Sequence, residues 1–164
     1  MVEFMKKCNT EIMKMLRKIQ EEKSLLLRFE KLNSVVKYSD QEEVIENDYD
    51  YHSIRQAIDK LNDEERRLKG ILAYSNATTK VDGYDFSISE ALVYLTQLSN
   101  KKSHLSSMAL VKPLDRSIIY NKIEYQKALF EPNEVELEVK RLTDEIANLQ
   151  MAIDRTNLTN LIDC

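Results

Sequence analysis

The chain has 164 residues, 24 Lys plus Arg against 28 Asp plus Glu for a formal net charge of −4, and only two Gly, two Pro and two Cys. Average usage would supply about a dozen Gly and about eight Pro, so turn-rich sandwiches and barrels are excluded, as are Rossmann turns and phosphate-binding loops, whose backbone approaches an anion through several glycines. The interleaved charges show no basic excess of the kind a nucleic-acid backbone binder needs, and two cysteines are too few for a disulfide-built secreted scaffold.

The elements follow in chain order from hydrophobic periodicity. Met5, Cys8, Ile12, Met15, Ile19, Leu26 and Phe29 form a heptad seam interrupted once, by Glu22, and predict a first long helix. It begins without an apolar signal core, and no stretch approaches about 18 uncharged residues. A cytoplasmic protein that does not enter the membrane is expected, in which Cys8 acts as a small buried hydrophobe. An acidic connector, Lys31 to Tyr51, contains the β-branched run Ser34-Val-Val-Lys-Tyr38. The second helix carries Ile54, Ile58, Leu61, Glu65, Leu68, Leu72 and Ser75 on its seam. A short link with Asp82-Gly83 leads to Ser87-Ile-Ser-Glu90, a capping-box pattern that opens a third helix, with Ala91, Leu95, Leu98, Lys102 and Leu105 as seam. A second long connector, Ser107 to Glu131, holds Ser117-Ile-Ile-Tyr-Asn-Lys-Ile-Glu-Tyr125. Both connector runs favour short strands or a hairpin, pairing with one another. Pro132 and Asn133 then start a fourth helix, whose seam Val135, Val139, Leu142, Ile146, Leu149, Ile153 and Thr156 contains no charge.

The chain resembles itself. Leu61-Asn-Asp-Glu-Glu-Arg-Arg-Leu68 aligns with Leu142-Thr-Asp-Glu-Ile-Ala-Asn-Leu149, and Ser75-Asn-Ala-Thr78 aligns with Thr156-Asn-Leu-Thr159, at an offset of 81. Glu11, Leu16, Lys23, Ser24 and Leu26 meet Glu90, Leu95, Lys102, Ser103 and Leu105 at an offset of 79. The chain therefore reads as one helical domain over 1–164 made of two copies of a helix-connector-helix unit, 1–82 and 83–164. The expected fold is mainly α, an up-down-up-down four-helix bundle with a pseudo-twofold axis and short strands in its long connectors. In that arrangement the Asn-x-Thr helix ends and the starts of helices one and three gather at one end.

Asn76 through Thr79, Asp82-Gly83, Ser87-Ile-Ser-Glu-Ala-Leu92 and Ile153-Asp-Arg-Thr-Asn157 together resemble a small bacterial family of uncharacterised helical proteins labelled septicolysin-like. The resemblance spans most of the chain. It implies a helical, oligomeric, cytoplasmic protein without an established activity.

Catalytic chemistry finds little to stand on. A di-metal carboxylate bundle needs Glu-x-x-His on two helices, and neither His52 nor His104 has an acid three residues before it. Nucleophile-elbow, Cys-x-x-Cys and phosphate-loop motifs are lacking. The acidic run Asp40, Glu42, Glu43, Glu46, Asp48 and Asp50 lacks the central glycine of a calcium loop. It reads as a solvated connector or a docking surface for a basic partner. Glu22, Glu65 and Lys102 interrupt the seams at the bundle edge, or pair, or set register and oligomer state. No catalytic residue, metal or cofactor is expected. The reading is a non-enzymatic structural or interaction module forming a homo-oligomer, without nucleic-acid or membrane partners. The alternative is a small-molecule binder whose polar pocket is lined by Asn76, Thr78, Asn157, Thr159, Glu11 and Glu90; a site assembled between subunits of an enzyme ranks third.

Overall fold

The computed structural model describes residues 6–163; Met5 of the first seam and Cys164 lie outside the described residues. The elements are β1 (Lys6–Cys8), α1 (Asn9–Asn33), α2 (Tyr51–Thr78), α3 (Ile88–Ala109), β2 (Leu114–Ile119), β3 (Lys122–Lys127), α4 (Pro132–Thr159) and β4 (Leu161–Asp163). The fold is mainly helical with small antiparallel strand pairs, and local chemistry sets the helix bounds. Asp50 accepts the His52 amide at 3.0 Å where α2 begins. Ser87 caps α3 reciprocally with Glu90: the Glu90 amide donates to Ser87 Oγ at 3.3 Å and the Ser87 amide to Glu90 Oε2 at 2.7 Å. Pro132 occupies the first position of α4, where its missing amide costs nothing.

The chain forms two compact units, one comprising the residues up to Asn76 and from Asn157 onward, the other Ala77–Thr156. In the first, α1 and α2 run antiparallel, since Asn9 meets Ser75, Lys23 meets Glu65 and Glu30 meets Arg55. Ile12, Leu16, Ile19 and Leu68 are its buried core, flanked by Met15, Leu61, Ile71, Leu72 and Ile162. Each such side chain removed from water stabilises the unit by about 1.5–3 kcal/mol. Beyond Ile19 the α1 seam opens: Glu22 is exposed and Phe29 is 42% exposed. Antiparallel β1 and β4 close the unit in the register Cys8 opposite Leu161.

The second unit is another antiparallel helix pair, α3 against α4, with Tyr94 meeting Glu145 and Lys101 meeting Glu138. Its core is Val81, Ile88, Ala91, Leu98, Leu142, Leu149 and Ile153. Positions at the repeat offsets play matching parts in the two units. Leu68 and Leu149 are both fully buried, and the Lys80–Ser87 bridge stands where Leu161–Cys8 does in the first unit. Gly83, at φ 80°, takes the left-handed position of the link, where the Tyr84 amide closes a turn onto the Val81 carbonyl at 3.0 Å.

The connectors differ from expectation. The second folds the β2–β3 hairpin, but residues 34–50 form no strand, and Ser34–Tyr38 pairs with nothing among the described residues. A β-favouring run without a partner has no ladder to join, and six acids within eleven following residues repel any compact local pairing.

Candidate functional site

The asparagine ends of α2 and α4 meet through a residue that periodicity alone did not single out. Asn9, the first residue of α1, is 0% exposed. Its Nδ2 donates to Asn76 Oδ1 at 3.2 Å and to Asn157 Oδ1 at 2.9 Å, and its Oδ1 accepts from Ser75 Oγ at 2.9 Å. Around this knot Thr10 Oγ1 donates to the Asn157 carbonyl at 3.3 Å and Asn160 Nδ2 to Ser75 Oγ at 3.4 Å. Three of the four hydrogen bonds open to a carboxamide are thus made by Asn9 in a fully buried position. The knot ties the start of α1 to the ends of α2 and α4.

Of the sequence-predicted residues, Asn76 and Asn157 are therefore brought together. Glu11 turns back on its own helix: its Oε2 accepts the Cys8 amide at 2.8 Å, and the bonds from the Cys8 amide and then its thiol hold the carboxyl below its ordinary range. Glu90 does the same in the second unit, lowered first by the Ser87 amide and then by the Ser87 hydroxyl. Both acids serve helix N-termini, where negative charge also meets the positive end of the helix dipole. Thr78 and Thr159 are the last residues of their helices, and each is engaged by other groups of the protein. Within the second unit, Thr156 Oγ1 accepts the Asp82 amide at 2.9 Å, and Arg155 pairs with Asp82 at 3.2 Å. Thr156 corresponds by the repeat to Ser75, and Ile88 to Asn9, so only the first unit carries the asparagine knot. Asn9 was legible only as a polar residue beside a seam cysteine, and its partners are 67 and 148 positions away.

The seam charges divide by environment. Glu65 accepts from Lys23 Nζ at 2.8 Å and also from Lys69, and is 14% exposed in its side chain. The bonds from Lys23 and Lys69 bring its pKa from 4.5 to about 2. The stabilisation from this pairing is fully present above pH 4.5 and is lost as pH falls toward 2. Glu65→Gln should lower the Tm at neutral pH and converge on the wild type near pH 2; parallel Tm curves over that window would count against the pairing. In the second unit the lysine equivalent to Lys23 is Lys102, which has no ion-pair partner among the described residues, and Ile146 stands at the position equivalent to Glu65. Both line a cleft of about 550 Å³ with Ser99, Ser103, Ser106, Ser107 and Leu110. No predicted site residue belongs to it.

The β2–β3 hairpin is the other outstanding feature. Its register, Leu114 opposite Lys127 through Ile119 opposite Lys122, puts Leu114, Arg116, Ile118, Ile123, Tyr125 and Lys127 on one face and Asp115, Ser117, Ile119, Lys122, Glu124 and Gln126 on the other. Tyr120 and Asn121, at φ 49° and 62°, form the left-handed two-residue turn whose twist suits a hairpin. Four of the six residues on the first face are apolar, and they are exposed: Ile118 is 69% and Tyr125 65% exposed, and every residue of both strands is exposed. Arg116, opposite Tyr125, and Lys127, opposite Leu114, share this face with no acid on it.

No protein-family model and no curated protein matches the chain. Among solved structures, that of a functionally unknown conserved protein from Corynebacterium diphtheriae is similar, with a TM-score of 0.69 at 18% identity over 97% of this chain and 100% of that one. At this identity the likeness shows a shared fold, extending over nearly the whole of both chains.

Proposed function

We propose that this protein is a non-enzymatic helical interaction module that assembles with copies of itself through the uncovered face of the β2–β3 hairpin. The observation that carries this reading is the hairpin: its register gathers Leu114, Ile118, Ile123 and Tyr125 on one face, and that face is exposed among the described residues. An isolated two-stranded hairpin is marginal in water, and a cluster of exposed apolar side chains beside charge is a common mark of an interaction surface. The asparagine knot and the capping acids support the same reading, because their hydrogen bonds are spent on positioning helix ends. Kinship with septicolysin-like proteins and a cytoplasmic setting belong to the proposal. They are supported by the residues quoted above and by Cys8, a buried free thiol. Among the described residues no helix is long and apolar enough to cross a membrane.

Sedimentation velocity over a concentration series tests it. The wild type should self-associate, and Ile118→Lys with Ile123→Lys should sediment as a monomer with an unchanged far-ultraviolet spectrum. A monomeric wild type, or a double variant that associates as strongly as the wild type, overturns the reading.

A further inference from the structure

We infer that the hairpin of one copy docks on the acidic connector, residues 34–50, of a second copy; the inference rests on the self-association proposed above and names its partner surface. The chemistry of the hairpin face sets what it needs. Leu114, Ile118, Ile123 and Tyr125 ask for apolar contacts, while Arg116 and Lys127, with no acid on that face, ask for carboxylates. Pairing two hairpin faces about a twofold axis brings like charges together, which destabilises an interface.

The connector offers the complement. Val35, Val36, Tyr38, Val44 and Ile45 are exposed there, interspersed with Asp40, Glu42, Glu43, Glu46 and Asp48, none of which forms an ion pair among the described residues. Its six acids, counting Asp50, stand against one lysine, Lys37. Backbone chemistry agrees with the side chains. Among the described residues the run Ser34–Tyr38 has β-favouring residues and no strand partner, while β2 pairs with β3 alone and each strand keeps one unpaired edge. An extended segment joining such an edge gains main-chain hydrogen bonds, with its side chains supplying specificity. Hairpin and connector are different patches of the same chain, so two copies that exchange them reciprocally close a twofold dimer and copies that engage one contact each propagate.

Charge reversal tests this in the full chain. One variant carries Arg116→Glu and Lys127→Glu; a second carries Glu43→Lys, Glu46→Lys and Asp48→Lys. All five side chains are exposed, and circular dichroism checks that each variant folds; Gln at the same three acidic positions replaces the second variant if reversal disturbs it. Each variant alone should lose about tenfold or more in association constant, and mixing the two reversed variants should restore association to near the wild-type level. If the Gln variant is used, mixing it with the first variant rebuilds one native contact, the hairpin of the Gln variant on the connector of the first, and should yield association that neither variant shows alone. If the wild type associates but the connector variant does so equally well, the connector is not the partner while self-association stands. A mixture of the reversed variants that stays monomeric also overturns the inference. A wild type that stays monomeric and instead co-sediments with anionic vesicles overturns both this inference and the reading beneath it.

Discussion

Asn9→Ala should cost about 2–4 kcal/mol of stability, the sum of a few buried polar groups left unpaired at about 1–3 kcal/mol each and partly rehydrated. For a chain of this size that is a fall in Tm of roughly 5–15 °C. The estimate follows from geometry: Asn9 is fully buried and bonds at 3.2, 2.9 and 2.9 Å to Asn76, Asn157 and Ser75. Removing it takes the Asn9 partner from two carboxamide oxygens and from the Ser75 hydroxyl. Asn9→Leu, which restores volume without polarity, should recover little. A double-mutant cycle between Asn9→Ala and Asn157→Ala should show a coupling of about 0.5–3 kcal/mol, as for groups in one network. Additive effects in that cycle, or a shift in Tm below about 2 °C, would mean that the knot does not hold the helix ends.

The second large effect is expected in the cores. Leu68→Ala and Leu149→Ala remove side chains that are both 0% exposed and occupy repeat-equivalent positions, and each should cost about 2–5 kcal/mol through lost transfer energy and the cavity left behind. Hydrogen exchange locates the damage. Leu68→Ala should lower protection in α1 and α2, whose residues surround it, and Leu149→Ala in α3 and α4. Leu25→Ala, at a position 66% exposed on α1, is the control and should change stability by less than about 0.5 kcal/mol. A loss below about 1 kcal/mol at Leu68 or Leu149 would contradict the packing of that core.

What made the helices readable is that their causes are local. The spacing of Ile58, Leu61, Leu68 and Leu72, the Ser87–Glu90 box and Pro132 each act within a few residues, and the helices begin and end within a few residues of where those signals fall. The hairpin was readable for the same reason, since β2 and β3 are joined by a two-residue turn. The fate of Ser34–Tyr38 was not, because a strand exists only when something pairs with it. The heptad count also continued the α1 seam to Phe29, whereas the packed core of α1 stops at Ile19; a period marks a face but not how far a neighbour covers it.

The same divide runs through the candidate sites. Asn76 and Asn157 stood out through the repeat, but the residue joining them did not, because the value of a buried carboxamide depends on partners brought together by folding. The repeat sets Glu11 opposite Glu90; the capping role of Glu90 was legible from Ser87, whereas that of Glu11 shows only in the geometry, because Cys8 stands at the cap position. By itself the sequence determined that this chain is helical, where its helices lie, which faces they bury and which motif chemistries are lacking, because hydrophobic period and capping are short-range. Tertiary structure decided that the helices pair within two units each with its own core, that Asn9 knots three helix ends, and that one amphipathic hairpin is left uncovered. Those outcomes depend on contacts between residues far apart in the chain, which no local pattern encodes.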